Sequence, residues 1–447
     1  MTVRPRTMAG VMELLPRDQV AFQGMLDTIR RVFERFGFLP IETPVMEPVE
    51  VLLTKSGGDT EKQVYFAQST GSRAEGKEAE LALRFDLTVP LARYVAQHEN
   101  DLSFPFRRFQ IQRVYRGERA QRGRYREFYQ CDIDVIARDE LSLQFDAEMP
   151  VVVGAVFEEL GLEYTVRMNH RKLLAGYLRS LGIEDEGQRA RVLREVDKLD
   201  KVGAEVVAKN LRSESVGLED AAADGVMTLL EVKGDVEEVL AALGMLGGDD
   251  PWYQQGLTEL REVSSMMVEL GLPTRRFCIQ PSICRGLDYY TGMVYETFLD
   301  DHPEIGSVCS GGRYDDLASH YTRSHLPGVG LSIGATRLFY QLHQLGLMEA
   351  RTSVEVLVTQ LDEGLAAQSR GLAAELRNAG IATELYHQTA KLNKQMKYAN
   401  RNQIPCVVIM GQDEAAAGEV TLKDMDTGEQ QRLPRAELVA RMQARQG

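Results

Sequence analysis

Apolar residues recur at helical spacing near the start of the chain. Between residues 17 and 36 they fall three or four positions apart, at Phe22, Met25, Leu26, Ile29, Phe33 and Phe36. Gly37 stands where the C-terminal cap of a helix belongs, and the next segment, FLPIETPVMEP, carries prolines that interrupt a helix. The pattern predicts a long amphipathic helix followed by an edge strand.

Shorter apolar runs with the character of strands come next. Residues 81–84 predict a strand that leads directly into a helix, because Asp86 or Thr88, followed by Pro90, suits a helix start. Residues 109–115 and 125–136 predict two more strands on either side of RGERAQRGR, a loop rich in arginine and glycine. These segments indicate an antiparallel hairpin.

The middle of the chain changes to a helical pattern. Residues 172–272 contain LLAGYLRSLG, ARVLREVDKLDKVG and VEEVLAALGMLG, separated by glycines and acidic stretches, and they predict an inserted helical domain. Strand patterns return at FCIQPSI and MVYETFL, so the fold begun before the insertion is expected to be completed after it. Beyond Met348, strands and helices alternate regularly and predict a compact α/β domain of parallel-sheet type.

One of the predicted strands has a polar side. Gln130, Asp132 and Asp134 alternate with apolar residues, so they share one face. Buried amides and carboxylates are costly without partners, and we therefore favour a pocket floor that presents Gln130 and Asp134 to a polar ligand. A strand whose polar side faces solvent is the alternative.

Two basic segments are candidates for binding polyanions. The loop before the polar strand contains Arg116, Arg119, Arg122, Arg124 and Arg126, which suit phosphate but do not distinguish ATP from RNA. In the last domain, one helix face carries Lys391, Lys394, Lys397 and Arg401, which could follow a phosphate backbone. Solvated basic surfaces are the simpler interpretation of both.

Three glycine-containing segments lie near the end of the first domain. They are RGLDYYTGMVYE, SGGRYDDL and GVGLSIGATRL, and each carries an arginine. The third does not follow G-x-G-x-x-G and lacks the flanking strand and ribose-binding acid, so we reject a dinucleotide-binding fold.

Composition narrows the remaining choices. At 447 residues the chain should form two to four domains, and its formal net charge of -14 means that any nucleic acid must be held by local basic patches. No apolar run is long enough to span a bilayer and the N-terminus lacks a secretory pattern, so we expect a cytoplasmic protein without membrane contact. The scattered cysteines and histidines predict neither disulfides nor a metal site formed by protein ligands.

Taken together, these segments resemble the class II aminoacyl-tRNA synthetases. The helix leading to FLPIETP is similar to motif 1, FQIQRVYRGERAQRGRYREFYQCDIDVI to motif 2, and GVGLSIGATRL to motif 3. RGLDYYTG and SGGRYDDL resemble the histidine-specific signatures of the histidyl-tRNA synthetases. The similarity extends over nearly the whole chain.

The resemblance implies an α+β fold. It implies a catalytic domain with an antiparallel sheet at residues 1–171 and 273–348, interrupted by a helical insertion at 172–272. A C-terminal α/β domain at 349–447 would bind the anticodon. Motif 1 would form the interface of a homodimer.

The implied reaction has two steps. Histidine and ATP give histidyl-adenylate and pyrophosphate, with Mg²⁺, and the histidyl group then passes to the 3′ end of histidine tRNA. The resemblance assigns catalytic roles to Arg285 and Arg116. It assigns ATP binding to Arg116, Glu118, Phe128 and Arg337. Contacts with tRNA are expected from Arg119, Arg122, Arg124 and the basic helix face.

The histidine substrate has its own set of implied residues. Asp86, Thr88 and Gln130 would bind the amino group, Asp134 and Tyr290 the two imidazole nitrogens, and Arg285 the carboxylate, with Tyr289 beside them. The chain departs from the commonest bacterial pattern at Asp86 and Thr336, where glutamate is usual. A histidine-sensing paralogue without aminoacylation, such as the regulatory subunit of ATP phosphoribosyltransferase, is the alternative. An RNA-binding module that keeps the fold but has lost catalysis is a third hypothesis.

Overall fold

The computed structural model describes residues 4–53, 63–119, 123–284, 290–315, 318–348 and 352–445. The chain divides into two compact units. Met1–Glu13 and Met25–Leu347 form the larger unit, and Leu14–Gly24 and Met348–Gly447 form the smaller one. Within the described residues, no helix is both long and apolar enough to cross a membrane.

The strands of the larger unit form two sheets. In chain order they are β1 (Leu39–Pro40), β2 (Met46–Pro48), β3 (Tyr65–Ala67), β4 (Leu81–Leu83), β5 (Phe106–Tyr115), β6 (Glu127–Ile136), β7 (Tyr164–His170), β8 (Phe277–Ile279), β9 (Met293–Leu299), β10 (Cys309–Tyr314) and β11 (Gly328–Ile333). The main sheet has the order β1-β5-β6-β11-β10-β9-β7-β8, and the small sheet has the order β2-β4-β3. The main sheet is antiparallel except at its two ends, where β1 pairs with β5 and β8 with β7 in parallel.

Thirteen helices belong wholly or partly to this unit among the described residues. They are α1 (Pro16–Arg35), α2 (Val49–Leu53), α3 (Thr70–Ala74), α4 (Thr88–Gln97), α5 (Leu143–Glu159), α6 (Arg171–Ser180), α7 (Glu186–Val196), α8 (Leu199–Val202), α9 (Ala204–Leu211), α10 (Asp220–Glu231), α11 (Val236–Leu246), α12 (Pro251–Glu269) and α13 (Ala335–Gln344). The predicted N-terminal helix is confirmed as α1, and Gly37 follows it with a φ of 77° that suits glycine.

The predicted strand, helix and hairpin around residues 81–136 are also confirmed. β4 leads into α4, and β5 and β6 form an antiparallel pair whose first strand begins three residues earlier than expected. The sequence did not predict that the glycine-containing segments SGGRY and GVGLSI are strands. They form β10 and β11, which lie beside each other in the centre of the main sheet.

The predicted helical segment is present between two neighbouring strands. Helices α6 to α12 connect β7 to β8, and these strands pair directly in the main sheet. The chain therefore leaves the sheet at one strand and returns to the adjacent position. All seven helices fall within the larger unit, and the boundaries 172–272 of a separate domain stay a prediction.

The smaller unit contains a five-stranded sheet with helices on both faces. Its elements are β12 (Val356–Val358), α14 (Ala366–Asn378), β13 (Thr383–Leu385), α15 (Leu392–Arg401), β14 (Cys406–Ile409), α16 (Gln412–Ala417), β15 (Glu419–Asp424), β16 (Gln430–Pro434) and α17 (Arg435–Gln443). Val356 and Val358 join one apolar cluster while Leu357 joins another, so both faces of the sheet are covered.

The prediction of a parallel sheet in this unit is wrong in part. β12 pairs in parallel with β13 and β14, but β15 is antiparallel to both of its neighbours, β14 and β16. The turn from Asp424 to Glu429 is too short for a crossover helix and connects β15 to β16 as a hairpin. The sheet is therefore mixed, and the α+β class of the whole chain is confirmed.

Candidate active site

The floor of the candidate site is formed by three neighbouring strands, β5, β6 and β11. Directly opposite residues in antiparallel strands share a face, and the register aligns two polar rows. Arg108 pairs with Asp134, Gln110 with Asp132, and Gln112 with Gln130. On the other side of β6, Gly330 lies opposite Asp134 and Ser332 opposite Asp132.

A cavity of about 490 Å³ lies over this floor. It brings together nine residues for which histidine or ATP contacts were predicted, namely Asp86, Thr88, Arg116, Glu118, Phe128, Gln130, Asp134, Tyr290 and Arg337. Gln130, Asp132 and Asp134 are all buried, which excludes the alternative of a strand whose polar side faces solvent. The polar side of β6 is therefore a pocket floor.

Asp134 is held by two residues that the sequence did not single out. A terminal nitrogen of the fully buried Arg108 lies 2.5 Å from its Oδ2, and the Tyr314 hydroxyl donates to its Oδ1 over 2.7 Å. Burial raises the pKa of the Asp134 carboxyl to about 6, while Arg108 and the Tyr314 hydroxyl act in the opposite direction. Asp134 is thus mainly ionised at neutral pH, and a carboxylate with lone pairs to spare can accept a ligand N–H.

Gln130 and Asp132 are connected through the hydroxyl of Ser332. The Gln130 Nε2 donates to the Ser332 Oγ over 2.7 Å, and this hydroxyl is hydrogen-bonded to the Asp132 carboxyl. One acceptor atom on each residue, Oε1 of Gln130 and Oδ1 of Asp132, is buried without a hydrogen-bond partner. Two unused acceptors in the same cavity suit a ligand that donates hydrogen bonds.

Asp86 lies where the chain passes from β4 into α4. Its Oδ1 accepts a hydrogen bond from the backbone N–H of Val89 over 3.1 Å, so this carboxylate caps the helix start as well as lining the cavity. Burial raises its pKa to about 6, against the effects of the Val89 amide and of the Arg116 charge. Thr88, the first residue of α4, lines the same wall.

The cavity is also lined by cationic side chains. Arg116 donates from Nε to the Phe85 carbonyl over 2.9 Å, and its guanidinium lies 5.1 Å from the centre of the Phe128 ring. Arg337, in the first turn of α13, donates from Nη2 to the Ile305 carbonyl. Glu118 lies 3.6 Å from a nitrogen of Arg124, which also lines the cavity. Guanidinium groups suit the phosphates of a nucleoside triphosphate, and an aromatic face suits its base.

Not every residue named from the sequence can be placed. Arg285, Tyr289 and Arg122 lie outside the described residues. Arg119 is exposed and is absent from the cavity lining. The basic helix face lies in the smaller unit on α15 and the residue before it, where Lys391, Lys394, Lys397 and Arg401 are all exposed.

Comparison with known proteins decides the family. The model of the histidyl-tRNA synthetase family matches residues 10–338, and that of the anticodon binding domain matches residues 355–445. A histidine–tRNA ligase of Xanthomonas campestris is 54% identical over 459 residues, covering 99% of this chain and 96% of the relative. The chain belongs to the histidyl-tRNA synthetase family. It is accordingly an enzyme of the aminoacyl-tRNA synthetase class.

Other relatives and solved structures agree with this assignment. A histidine–tRNA ligase of Stenotrophomonas maltophilia is 52% identical over 454 residues, covering 99% of this chain and 98% of the relative. The crystal structure of histidyl-tRNA synthetase from Nostoc superposes with a TM-score of 0.91 at 38% identity, covering 99% of this chain and all of that one.

A more distant structure shares only the fold. It is described as an ATP phosphoribosyltransferase regulatory subunit/histidyl-tRNA synthetase from Bacillus halodurans. Its TM-score is 0.74 at 21% identity, covering 89% of this chain and 97% of that one. The similarity therefore does not favour the alternative of a histidine-sensing paralogue.

Thr336, one of the departures from the usual synthetase pattern, has a structural role here. It is buried in the first turn of α13, and its Oγ1 accepts a hydrogen bond from the backbone N–H of Tyr129 over 2.8 Å. This hydrogen bond connects α13 to β6. It is not among the residues that line the cavity.

The sequence analysis did not identify the residues of β5 and β10 that lie against the polar side of β6. Arg108, Gln110 and Gln112 alternate with apolar residues in FRRFQIQRV, and this period of two could have shown that β5 carries a polar row matching that of β6. Tyr314 lies within SGGRYDDL, but no pattern in the sequence places its hydroxyl on Asp134. That contact depends on the pairing of β10 with β11.

Proposed function

We propose that this cavity joins L-histidine to ATP as histidyl-adenylate, and that the enzyme then transfers the histidyl group to the 3′ end of histidine tRNA. The observation that carries the proposal is that one cavity is lined by two kinds of side chain. Carboxylates and unused acceptors line it together with Arg116, Phe128 and Arg337. A cationic amino acid and a polyanionic nucleotide would thus meet in a single site.

The chemistry requires positioning and charge stabilisation. An oxygen of the histidine carboxylate attacks the α-phosphorus, a new phosphorus–oxygen bond forms, and the bond to pyrophosphate breaks. No side chain has to act as a nucleophile. Arg116 would stabilise charge on the α-phosphate and Arg337 would bind the γ-phosphate, while adenine stacks on Phe128. Arg285 is assigned to the histidine carboxylate and the α-phosphate by its place in the signature RGLDYYTG.

Histidine recognition follows from the acceptors and donors of the floor. Asp134, ionised and held by Arg108 and Tyr314, would accept a hydrogen bond from one imidazole nitrogen, and Tyr290 would contact the other. Asp86, Thr88 and Gln130 would bind the amino group, with Tyr289 beside the ring. An amino acid lacking the imidazole would leave buried polar groups unpaired, which opposes its activation.

Mg²⁺ belongs to the proposal as a companion of ATP. Among the described residues, no group of three or more histidine, cysteine or acidic side chains is arranged to hold a metal. In the proposal, the magnesium ion is bound mainly by phosphate oxygens and water, with one carboxylate as an additional ligand. Glu118 is a carboxylate that lines the cavity, and bound Mg²⁺ would neutralise charge on the triphosphate.

Binding of tRNA is assigned to two surfaces. The smaller unit matches an anticodon binding domain, and the exposed residues Lys391, Lys394, Lys397 and Arg401 give it a basic face. On the larger unit, the proposal includes Arg124, which lines the cavity, and the exposed Arg119, with Arg122 added by its place in the sequence. Cytoplasmic location is part of this proposal, since charged tRNA serves protein synthesis there.

We propose that the chain forms a homodimer and that the segments around motif 1 form its interface. Several large apolar side chains in this region are exposed, namely Leu39, Val45, Met46, Phe66 and Leu81. Leu39 lies in the edge strand β1, and Met46, Phe66 and Leu81 lie in the sheet β2-β4-β3. Exposed apolar groups of this kind are favourable when covered by a partner. Sedimentation of the purified protein should give twice the chain mass, and Met46→Glu should favour the monomer.

The decisive experiment is amino-acid-dependent ATP–pyrophosphate exchange with Mg²⁺. Histidine alone, out of a panel of amino acids, should support exchange. Arg116→Ala should lower the rate by about 10²–10³ if the guanidinium stabilises the transition state. Arg113→Ala is the matched control, because Arg113 is a half-exposed neighbour outside the cavity. Histidine binding without exchange in the wild type would favour the sensing paralogue, and unchanged exchange by Arg116→Ala would refute the role of Arg116.

A further inference from the structure

Asp132 is a buried carboxylate to which the proposed function assigns no role. It lies in the centre of β6, lines the cavity, and is only 2% exposed. Its Oδ1 has no hydrogen-bond partner, although buried oxygens of this kind are nearly always paired. An ionised, half-satisfied carboxylate is unfavourable in the free protein, so its presence calls for a partner that arrives with a ligand.

Hydrogen bonds with neighbouring side chains orient the carboxylate of Asp132. Ser332, opposite Asp132 on β11, is hydrogen-bonded to the carboxyl group and accepts a hydrogen bond from the Gln130 amide nitrogen over 2.7 Å. A single hydroxyl therefore orients both side chains. The atoms left unpaired are Oε1 of Gln130 and Oδ1 of Asp132, two acceptors that lie two residues apart on one face of β6.

Nearby charges do not compensate Asp132 fully. The charges of Asp86 and Asp134 raise the pKa of its carboxyl in addition to burial, which is the largest cause, whereas the charge of Arg108 and the Ser332 hydrogen bond lower it. Arg108 is already paired with Asp134. Arg84 and the thiols of Cys131 and Cys309 also interact electrostatically with Asp132. The floor thus has an excess of negative charge.

We propose that Asp132 binds the α-ammonium group of the histidine substrate, together with Gln130. This inference rests on the proposed histidine site and adds to it a residue that makes the amino end of the pocket selective for a cation. An ammonium group offers three N–H donors and a positive charge, which match two unused acceptors and a surplus carboxylate. The imidazole nitrogens are assigned to Asp134 and Tyr290, further along the floor.

The test is Asp132→Asn, which keeps the size of the side chain and removes its charge. Dissociation constants are measured by calorimetry for L-histidine, for histidinol, which retains the amine, and for imidazolepropionate, which lacks it. The variant should bind histidine and histidinol about ten- to a hundredfold more weakly and imidazolepropionate unchanged. Asp101→Asn, at an exposed carboxylate, is the control and should leave all three unchanged.

Two results would overturn the assignment. Equal weakening of all three ligands would place Asp132 near the imidazole or in a general structural role. Unchanged binding of all three would show that Asp132 does not contact the ligand. Failure of the wild type to bind histidine at all would refute the proposed function instead, so the two failures are distinguishable.

The pH dependence provides a second readout that does not need the variant to fold. Burial raises the pKa of Asp132 to about 7, and binding of an ammonium group requires the ionised form. The wild type should therefore release protons when it binds histidinol at pH 7 and bind it more weakly at pH 6 than at pH 8. Asp86, which is also assigned to the amino group, has a pKa of about 6 and is already mostly ionised at pH 7, so it should contribute far less to this release. For imidazolepropionate this pH effect should be smaller. Equal proton release with both ligands would contradict the proposal.

Discussion

At the scale of single residues, the site depends on how a few buried charges are paired. Asp134 could accept a hydrogen bond from imidazole only if it stays ionised in a buried position, and the Arg108 charge and the Tyr314 hydroxyl both favour this. Arg108 itself is fully buried, so its charge is useful only in combination with that carboxylate. The pair is therefore a unit, and removal of either half leaves an uncompensated charge.

Replacement of Arg108 by methionine tests this dependence. Because Asp134 would lose its partner, the free energy of unfolding should fall by about 3–5 kcal/mol, measured by urea denaturation at pH 7.5. The double variant Arg108→Met/Asp134→Leu should recover much of that loss, since both charges are gone. Arg113→Met, at a half-exposed site, is the matched control and should change stability little. A single variant as stable as the wild type would contradict the account.

Asp132 should reduce stability while it serves binding. Its pKa is raised to about 7 by burial, so the folded state favours the protonated form, and stability is lost as the pH rises from about 4 through 7. Asp132→Asn should therefore raise the melting temperature of the ligand-free protein at pH 8, by about 1–2 °C for each kcal/mol regained in a chain of this size. The gain should shrink as the pH falls and vanish only below about pH 4, where the carboxyl is protonated in the unfolded chain as well as in the folded one. A gain that does not vary with pH would argue against the titration of this group.

At the scale of elements, the glycines of β11 explain how a central strand can pass beside the pocket. A methyl group on Gly330 would lie 2.0 Å from the Asp134 Oδ1, the oxygen that Tyr314 contacts. Gly330 thus leaves space for the carboxylate between two strands. The segment GVGLSI forms a strand despite its glycines because β6 and β10 supply backbone partners on both sides.

Gly330→Ala is expected to displace Asp134 and to weaken histidine binding more than ATP binding. The steric conflict is local to the floor, so the Michaelis constant for histidine in exchange should rise at least tenfold while that for ATP changes little. Gly244→Ala in α11, where a methyl group meets nothing within 4 Å, is the control. A parallel rise for both substrates would indicate general disruption of the sheet.

At the scale of the whole molecule, chemistry and anticodon recognition are assigned to separate units. The described residues that line the cavity all belong to the larger unit, and the match to the anticodon binding domain, at residues 355–445, lies within the smaller one. On α15, Gln395 and Ala399 are buried, whereas the lysines occupy the exposed side. Lys394 and Lys397 are both exposed, so a polyanion could approach them from solvent.

The double substitution Lys394→Glu/Lys397→Glu should separate the two steps of the reaction. Histidine-dependent exchange should be unchanged, while the Michaelis constant for tRNA in aminoacylation should rise about tenfold or more and depend less steeply on salt. Lys423→Glu, a half-buried lysine on β15 of the same unit, serves as the control for overall charge. Equal losses in exchange and aminoacylation would mean that the variant disturbs the larger unit.

Sequence alone determined the elements and the order of the motifs. The helix α1, the β5–β6 hairpin, the helical segment between β7 and β8, and the C-terminal α/β unit each followed from periodicity and turn residues, which are local properties. Resemblance of the motifs to a known family supplied the candidate site. The alternation of Gln130, Asp132 and Asp134 correctly predicted a pocket floor.

Only the tertiary structure decided what surrounds those residues. Arg108, Tyr314 and Ser332 come from three different strands, and their contacts with the polar side of β6 depend on register, which the sequence of one strand does not specify. The mixed direction of the C-terminal sheet was likewise decided by which strands became neighbours. Burial and pairing are collective properties of the folded chain, and they determine which of the carboxylates on β6 still needs a partner.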